Sequence, residues 1–124
     1  MEEFAHEGHI GLRFTNIYGE NAPDFMLTSR IKNGNVEYKT NHIRDFIHIS
    51  DVLDVIKLFL KIGTLDKNRT YDVGSGKGVR IDELVERNGF DVPYKEGDKC
   101  EMMNNTANIS DILDVGWTGP KVFI

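Results

Sequence analysis

Three places in the sequence combine residue types that could do chemistry. Gly74-Ser75-Gly76-Lys77-Gly78 joins backbone freedom to a cation, the ingredients of a phosphate-cradling loop. Such a loop needs a longer gap between its first glycine and its lysine, with a Ser or Thr after the lysine, and this run has neither. It reads as a strand-to-loop turn. His6 and His9 stand near an acidic stub, but no third ligand converges on them, so metal binding is not expected. Arg44 is the most informative position, because a guanidinium presents phosphate oxygens with a rigid planar fork of donors. Taken alone, Arg44 reads equally well as a solvated arginine paired with Asp45.

The elements that must position these groups follow from apolar periodicity and turn residues. Ile10 to Ile17 carries Leu12, Phe14 and Ile17 and ends in Tyr18-Gly19, a buried strand running into a turn. Pro23 to Lys32 predicts a short helix opened by proline and closed by Asn33-Gly34, and Val36 to Tyr38 a further strand. Ser50 is a natural N-cap for the clearest helix, in which Val52, Val55, Ile56, Phe59 and Leu60 recur at helical spacing before Gly63. His48 precedes it in a strand-like run and is expected to be a packed histidine with a hydrogen-bond partner. Thr70 to Val73 predicts a strand stopped by Gly74, Arg80 to Asn88 a helix, and Ile109 to Leu113 a last short helix. Strands alternating with helices define an α/β class. Glycine-bearing turns after two strands lie where open α/β sheets place ligands.

Composition bounds the partners. A chain of 124 residues supports one domain with one modest core. Its net charge of −5 argues against a broad nucleic-acid or membrane-surface footprint, although two or three basic residues suffice for a small anion. Cys100 is the only cysteine, so an intrachain disulfide and a cysteine-based zinc site are both excluded. The acidic start and the lack of a long apolar run predict neither a signal peptide nor a membrane helix, and a cytoplasmic location is the expectation.

Four landmarks stand in order along the chain: Leu12-Arg13-Phe14-Thr15-Asn16-Ile17-Tyr18-Gly19, Arg44-Asp45-Phe46-Ile47-His48-Ile49-Ser50-Asp51-Val52, Tyr71-Asp72-Val73-Gly74-Ser75-Gly76, and Gly116-Trp117. Their order and spacing resemble those of the extended short-chain dehydrogenase/reductases, the group that includes NAD-dependent nucleotide-sugar epimerases and dehydratases. The resemblance covers almost the whole chain. It implies the carboxy-terminal part of that fold, with the last strands of the Rossmann sheet and the small substrate-binding subdomain, as one domain over residues 1–124.

The same resemblance assigns expectations to single residues. Arg44 is similar to the family's diphosphate-gripping arginine, and Asn16 to an asparagine that bonds the diphosphate or the sugar. As a plain residue, Asn16 reads as a local turn former. Tyr38 falls where the family places an aromatic residue against the nucleotide base. Lys95 stands at the place of a second phosphate-binding arginine, keeping the charge but losing the fork. Asp98 matches an acceptor for a ribose hydroxyl. Phe14 and Thr15 match positions bordering the nicotinamide, while Phe14 could equally be core.

The resemblance also implies a missing half. The family's glycine-rich turn, which brings a helix N-terminus to the cofactor pyrophosphate, has no counterpart here: Gly8 and Gly11 are followed by Phe14. None of Tyr18, Tyr38, Tyr71 or Tyr94 has a lysine four residues on, so the Tyr-x-x-x-Lys pair that moves the proton is absent, and no catalytic residue is assigned. The expected function is therefore nucleoside-diphosphate-sugar binding by the substrate half of an epimerase or dehydratase. Turnover would depend on a dinucleotide-binding half supplied in trans, and NAD(P) would belong to the complete enzyme rather than to this chain. The alternative is a non-enzymatic sugar-nucleotide binder or a remnant that covers its apolar helix face as a homo-oligomer.

Overall fold

The computed structural model describes residues 8–63, 68–97 and 100–124. Its elements are β1 (Ile10–Phe14), β2 (Asn16–Tyr18), α1 (Leu27–Asn33), β3 (Ile43–His48), α2 (Ile49–Ile62), β4 (Arg69–Val73), β5 (Gly78–Arg80), α3 (Ile81–Arg87) and α4 (Ser110–Val115). This is the expected α/β alternation, with differences in detail that each have a local cause.

The first predicted strand is two strands. β1 pairs in parallel with β4, from Ile10 opposite Arg69 to Phe14 opposite Val73, and Thr15 N still donates to Val73 O at 3.1 Å. One residue later the chain changes partner, and β2 runs parallel to β3 with Asn16 opposite Phe46. Thr15 is the crossing point. β5, which the sequence reading missed, lies antiparallel on the other side of β3, giving the order β2-β3-β5. Val36 to Tyr38 is not a strand; the bridge in this region is Lys39 to Tyr94. Three residues bounded by Gly34 and the polar Lys39-Thr40-Asn41 offer too little pairing to hold a strand alone.

The first helix begins at Leu27, not near Pro23, because Pro23 heads a turn in which Met26 N donates to Pro23 O at 3.1 Å. It ends as predicted at Gly34, whose φ of 75° opens the left-handed region that lets its amide satisfy the last carbonyls, Arg30 O and Ile31 O. In α2 the cap is His48, not Ser50: the His48 ring nitrogen accepts from Ser50 N at 3.1 Å and faces Ser50 Oγ at 2.8 Å. The imidazole thus does what a Ser side chain does at most N-caps, and Ser50 becomes its partner. Its ring also meets Tyr18 edge-on, so His48 is the packed, bonded histidine expected.

Two apolar clusters lie on opposite sides of β3. Ile47 joins Val52, Val55, Phe59, Tyr71, Val73, Ile112 and Trp117, with Phe14 packed against them. Phe46 joins Ile81, Leu84 and Val85. Strand alternation makes this division, since successive side chains of β3 point to opposite faces. The apolar face of α2 expected to be uncovered is largely buried: Val52, Val55 and Phe59 are in the first cluster, and the exposed apolar residues are Leu53, Ile56, Leu60 and Ile62. α4 and Trp117 supply the cover. Among the described residues no helix is long and apolar enough to cross a membrane.

Candidate functional site

β3 also sorts the polar residues. His42, just before the strand, Arg44 and Phe46 share one face, and all three line a cavity of about 310 Å³ together with Asn16, Phe25 and Glu101. A larger adjoining cavity of about 540 Å³ is lined by Tyr38, Lys95, Glu37 and Arg30, and shares His42, Phe25, Leu27, Ile81 and Glu101 with the first. Four sequence-predicted residues, Asn16, Arg44, Tyr38 and Lys95, are therefore brought to one continuous groove. Asp98 lies outside the described residues.

The groove is dipolar rather than uniformly basic. Arg44, whose side chain is only 18% exposed, donates to the carbonyl of Ile43 at 2.9 Å and stands 3.9 Å from the carboxylate of Glu101. It is not paired with Asp45, contrary to the alternative drawn from sequence, because the two neighbours point to opposite faces of β3. Asn16 is fixed rather than free: its Oδ1 accepts from Asn105 Nδ2 at 2.8 Å, leaving its own amide group as the donor on offer. Lys95 Nζ lies 5.2 Å from the centre of the Tyr38 ring, a cation–π contact on the outer wall. A planar ring with a cation over it suits a flat, electron-rich base or an anion beside one.

On the opposite face Asp45 is sealed. Its carboxylate accepts from Ser75 N (2.7 Å), Ser75 Oγ (2.6 Å), Gly76 N (3.0 Å) and Ala107 N (3.1 Å). Its own amide donates to Asn105 Oδ1 at 2.7 Å. The amides of the Gly74–Lys77 turn that might have cradled a phosphate thus already hold a carboxylate, which is the physical reason the turn is not an anion loop. Gly74 is needed here, since a Cβ would fall 2.5 Å from Asp45 Oδ2 and 2.8 Å from Thr15 Oγ1.

Phe14 and Thr15 line neither cavity. Phe14 packs on the core, while Thr15 Oγ1 is buried without a hydrogen-bond partner, next to Gly74. An orphaned hydroxyl at the end of a strand is one fitting contact for a cofactor edge. The glycine turn and the tyrosine-lysine pair that hold and use NAD are absent from these 124 residues, so the chain does not fit the cofactor as a whole.

Sequence reasoning missed His42, Glu101 and Phe25. His42 had a usable signal, because it stands two residues before Arg44 on a strand-like run and must share its face. Glu101 and Phe25 had none, since they reach the groove from irregular segments.

The fold is that of the carboxy-terminal portion of extended short-chain dehydrogenase/reductase structures. The structure of MoeE5 in complex with UDP-glucuronic acid and NAD aligns with a TM-score of 0.74 at 23% identity, over 91% of this chain and 42% of that one. The UDP-glucose 4-epimerase of Thermotoga maritima, solved with UDP-glucose, aligns with a TM-score of 0.73 at 20% identity, over 92% and 41%. In sequence, the protein that bears the name UDP-arabinose 4-epimerase 4 in Arabidopsis thaliana is 31% identical over 94 residues, 66% of this chain and 21% of that protein. No family model matches. In fold the chain is similar to the carboxy-terminal part of these enzymes, and in sequence to UDP-arabinose 4-epimerases. It spans about a fifth of the length of the curated relatives it matches.

Proposed function

We propose that this chain binds a nucleoside-diphosphate sugar in the groove between β3, α1 and the segment around Lys95. The observation that carries the proposal is the convergence of Arg44, Asn16, Tyr38 and Lys95 on adjoining cavities, in a fold whose solved neighbours hold UDP-sugars. Arg44 takes diphosphate oxygens through its fork, and Asn16 donates its amide from the facing strand. Tyr38 carries the base, with Lys95 beside it adding charge near the second phosphate. Asp98 accepts from a ribose hydroxyl. The residues 1–124 act as one domain in this reading.

Turnover requires a dinucleotide-binding half outside these 124 residues, which supplies the glycine turn and the tyrosine-lysine pair. Phe14 and Thr15 then border the nicotinamide of a cofactor gripped mainly by that half, and the paired strands β1 and β4 extend its sheet. When bound there, NAD would supply reversible oxidation of the sugar. The residues of this chain contribute grip and orientation only.

Mixing the chain with the separately produced dinucleotide-binding half of a UDP-sugar epimerase, with NAD and UDP-glucose present, tests this reading. Conversion of the sugar in the mixture, and in neither part alone, is the expected result. UDP-glucose should bind to the chain alone and NAD should not; a chain that binds NAD but no UDP-glucose would sink the proposal.

A further inference from the structure

His42 is the polar side chain that the proposed binding role leaves unused. It is 6% exposed and its Nε2 is buried without a hydrogen-bond partner, at the wall shared by both cavities. Thr40 fixes the other end of the ring, with Oγ1 2.9 Å from Nδ1. Thr40 Oγ1 also accepts from the His42 amide at 3.5 Å, and a hydroxyl that donates to Nδ1 leaves the ring proton on Nε2. The ring belongs to the lining of both cavities. Glu101 Oε2 lies 3.3 Å from Nε2, outside hydrogen-bond geometry, and 3.9 Å from the Arg44 guanidinium. One carboxylate oxygen thus stands between two donors and bonds neither well. Glu101 is itself 58% exposed, so solvating it elsewhere costs little. The backbone of Gly97 closes over the ring, where a Cβ would come within 2.6 Å of Nε2.

We propose that Glu101 is a displaceable occupant of an anion site formed by Arg44 and His42, and that the diphosphate of the ligand replaces it and takes the Nε2–H of His42. The site deepens the nucleotide-sugar reading and rests on it. A buried donor left without an acceptor is costly. A phosphate oxygen at the same position relieves that cost.

The test is calorimetric titration of the full chain with UDP-glucose. Glu101→Gln should tighten binding about fivefold or more. His42→Gln should weaken it by a similar factor. Because His42 is buried, nitrogen-edited NMR of the wild-type imidazole provides a second readout: Nε2 should shift on ligand addition and Nδ1 much less. If UDP-glucose binds in an Arg44-dependent way but Glu101→Gln leaves the affinity unchanged or lower, the displacement idea is wrong and the binding role stands. If wild type takes up no UDP-glucose at all, both are wrong.

Discussion

Arg44 and Asp45 are adjacent in the chain and face opposite fates. Asp45 turns into a closed knot where four donors occupy its carboxylate, and it ties β3 to the Gly74–Lys77 turn and to Ala107. Arg44 turns into an open groove where its nearest carboxylate is 3.9 Å away and solvent-exposed. One strand therefore separates a fully satisfied polar network from an under-satisfied one. The lesson is that a charged pair in sequence says little about pairing in space: alternation turns one residue into a closed network and the other into the groove.

Breaking the closed side should have the largest effect. Asp45→Ala leaves the Ser75, Gly76 and Ala107 donors buried and unmet, and should cost about 3–5 kcal/mol, read as a lower urea midpoint with an unchanged slope. Asp45→Asn, which keeps one acceptor oxygen, should lose less. Gly74→Ala tests the same knot sterically; with a Cβ so close to Asp45 Oδ2 and Thr15 Oγ1, a loss of about 1–3 kcal/mol is expected.

A second buried carboxylate, Asp51 at the start of α2, extends the contrast. It accepts from Lys121 N at 3.0 Å and Val122 N at 3.1 Å, pinning the last residues over the helix. Asp51→Ala should cost about 1–3 kcal/mol and speed amide exchange at Lys121 and Val122 first. Equal exchange in both proteins would show that the carboxylate does not hold this segment.

The smallest effect belongs to a surface pair. Arg80 forks onto Asp82 at 3.1 and 2.8 Å, and this hydrogen bond, ahead of the opposing effect of burial, holds the Asp82 carboxyl below its ordinary range. The pair's stabilisation is therefore full above the usual carboxylate pKa of about 4 and is lost as pH falls through the lowered value. Arg80→Gln should flatten this part of the acid-unfolding profile and change the neutral-pH midpoint little.

Much of this fold is legible in the residues. The helical period from Val52 to Phe59 and the glycine stops at Gly34 and Gly63 identify their elements without help from tertiary structure. The split at Thr15 is not legible, because a continuous apolar run cannot say that its partner strand changes midway. β5 is three residues with one apolar side chain, below what pattern can detect. The groove is legible in part. Arg44, Asn16, Tyr38 and Lys95 are named through their resemblance to a family pattern, whereas Glu101 enters from a segment with no periodicity. His42 is within reach, two residues upstream of Arg44, but only if the strand is taken to begin there.

The most direct test of the binding role joins two measurements on the same samples of wild type and Arg44→Ala: UDP-glucose affinity and the urea midpoint. The groove reading predicts that affinity falls at least about tenfold while the midpoint moves by no more than about 0.5 kcal/mol of stability, because the arginine bonds a neighbouring carbonyl and its carboxylate neighbour Glu101 is exposed. Unchanged affinity, or a loss of affinity that merely tracks a loss of stability, would contradict it.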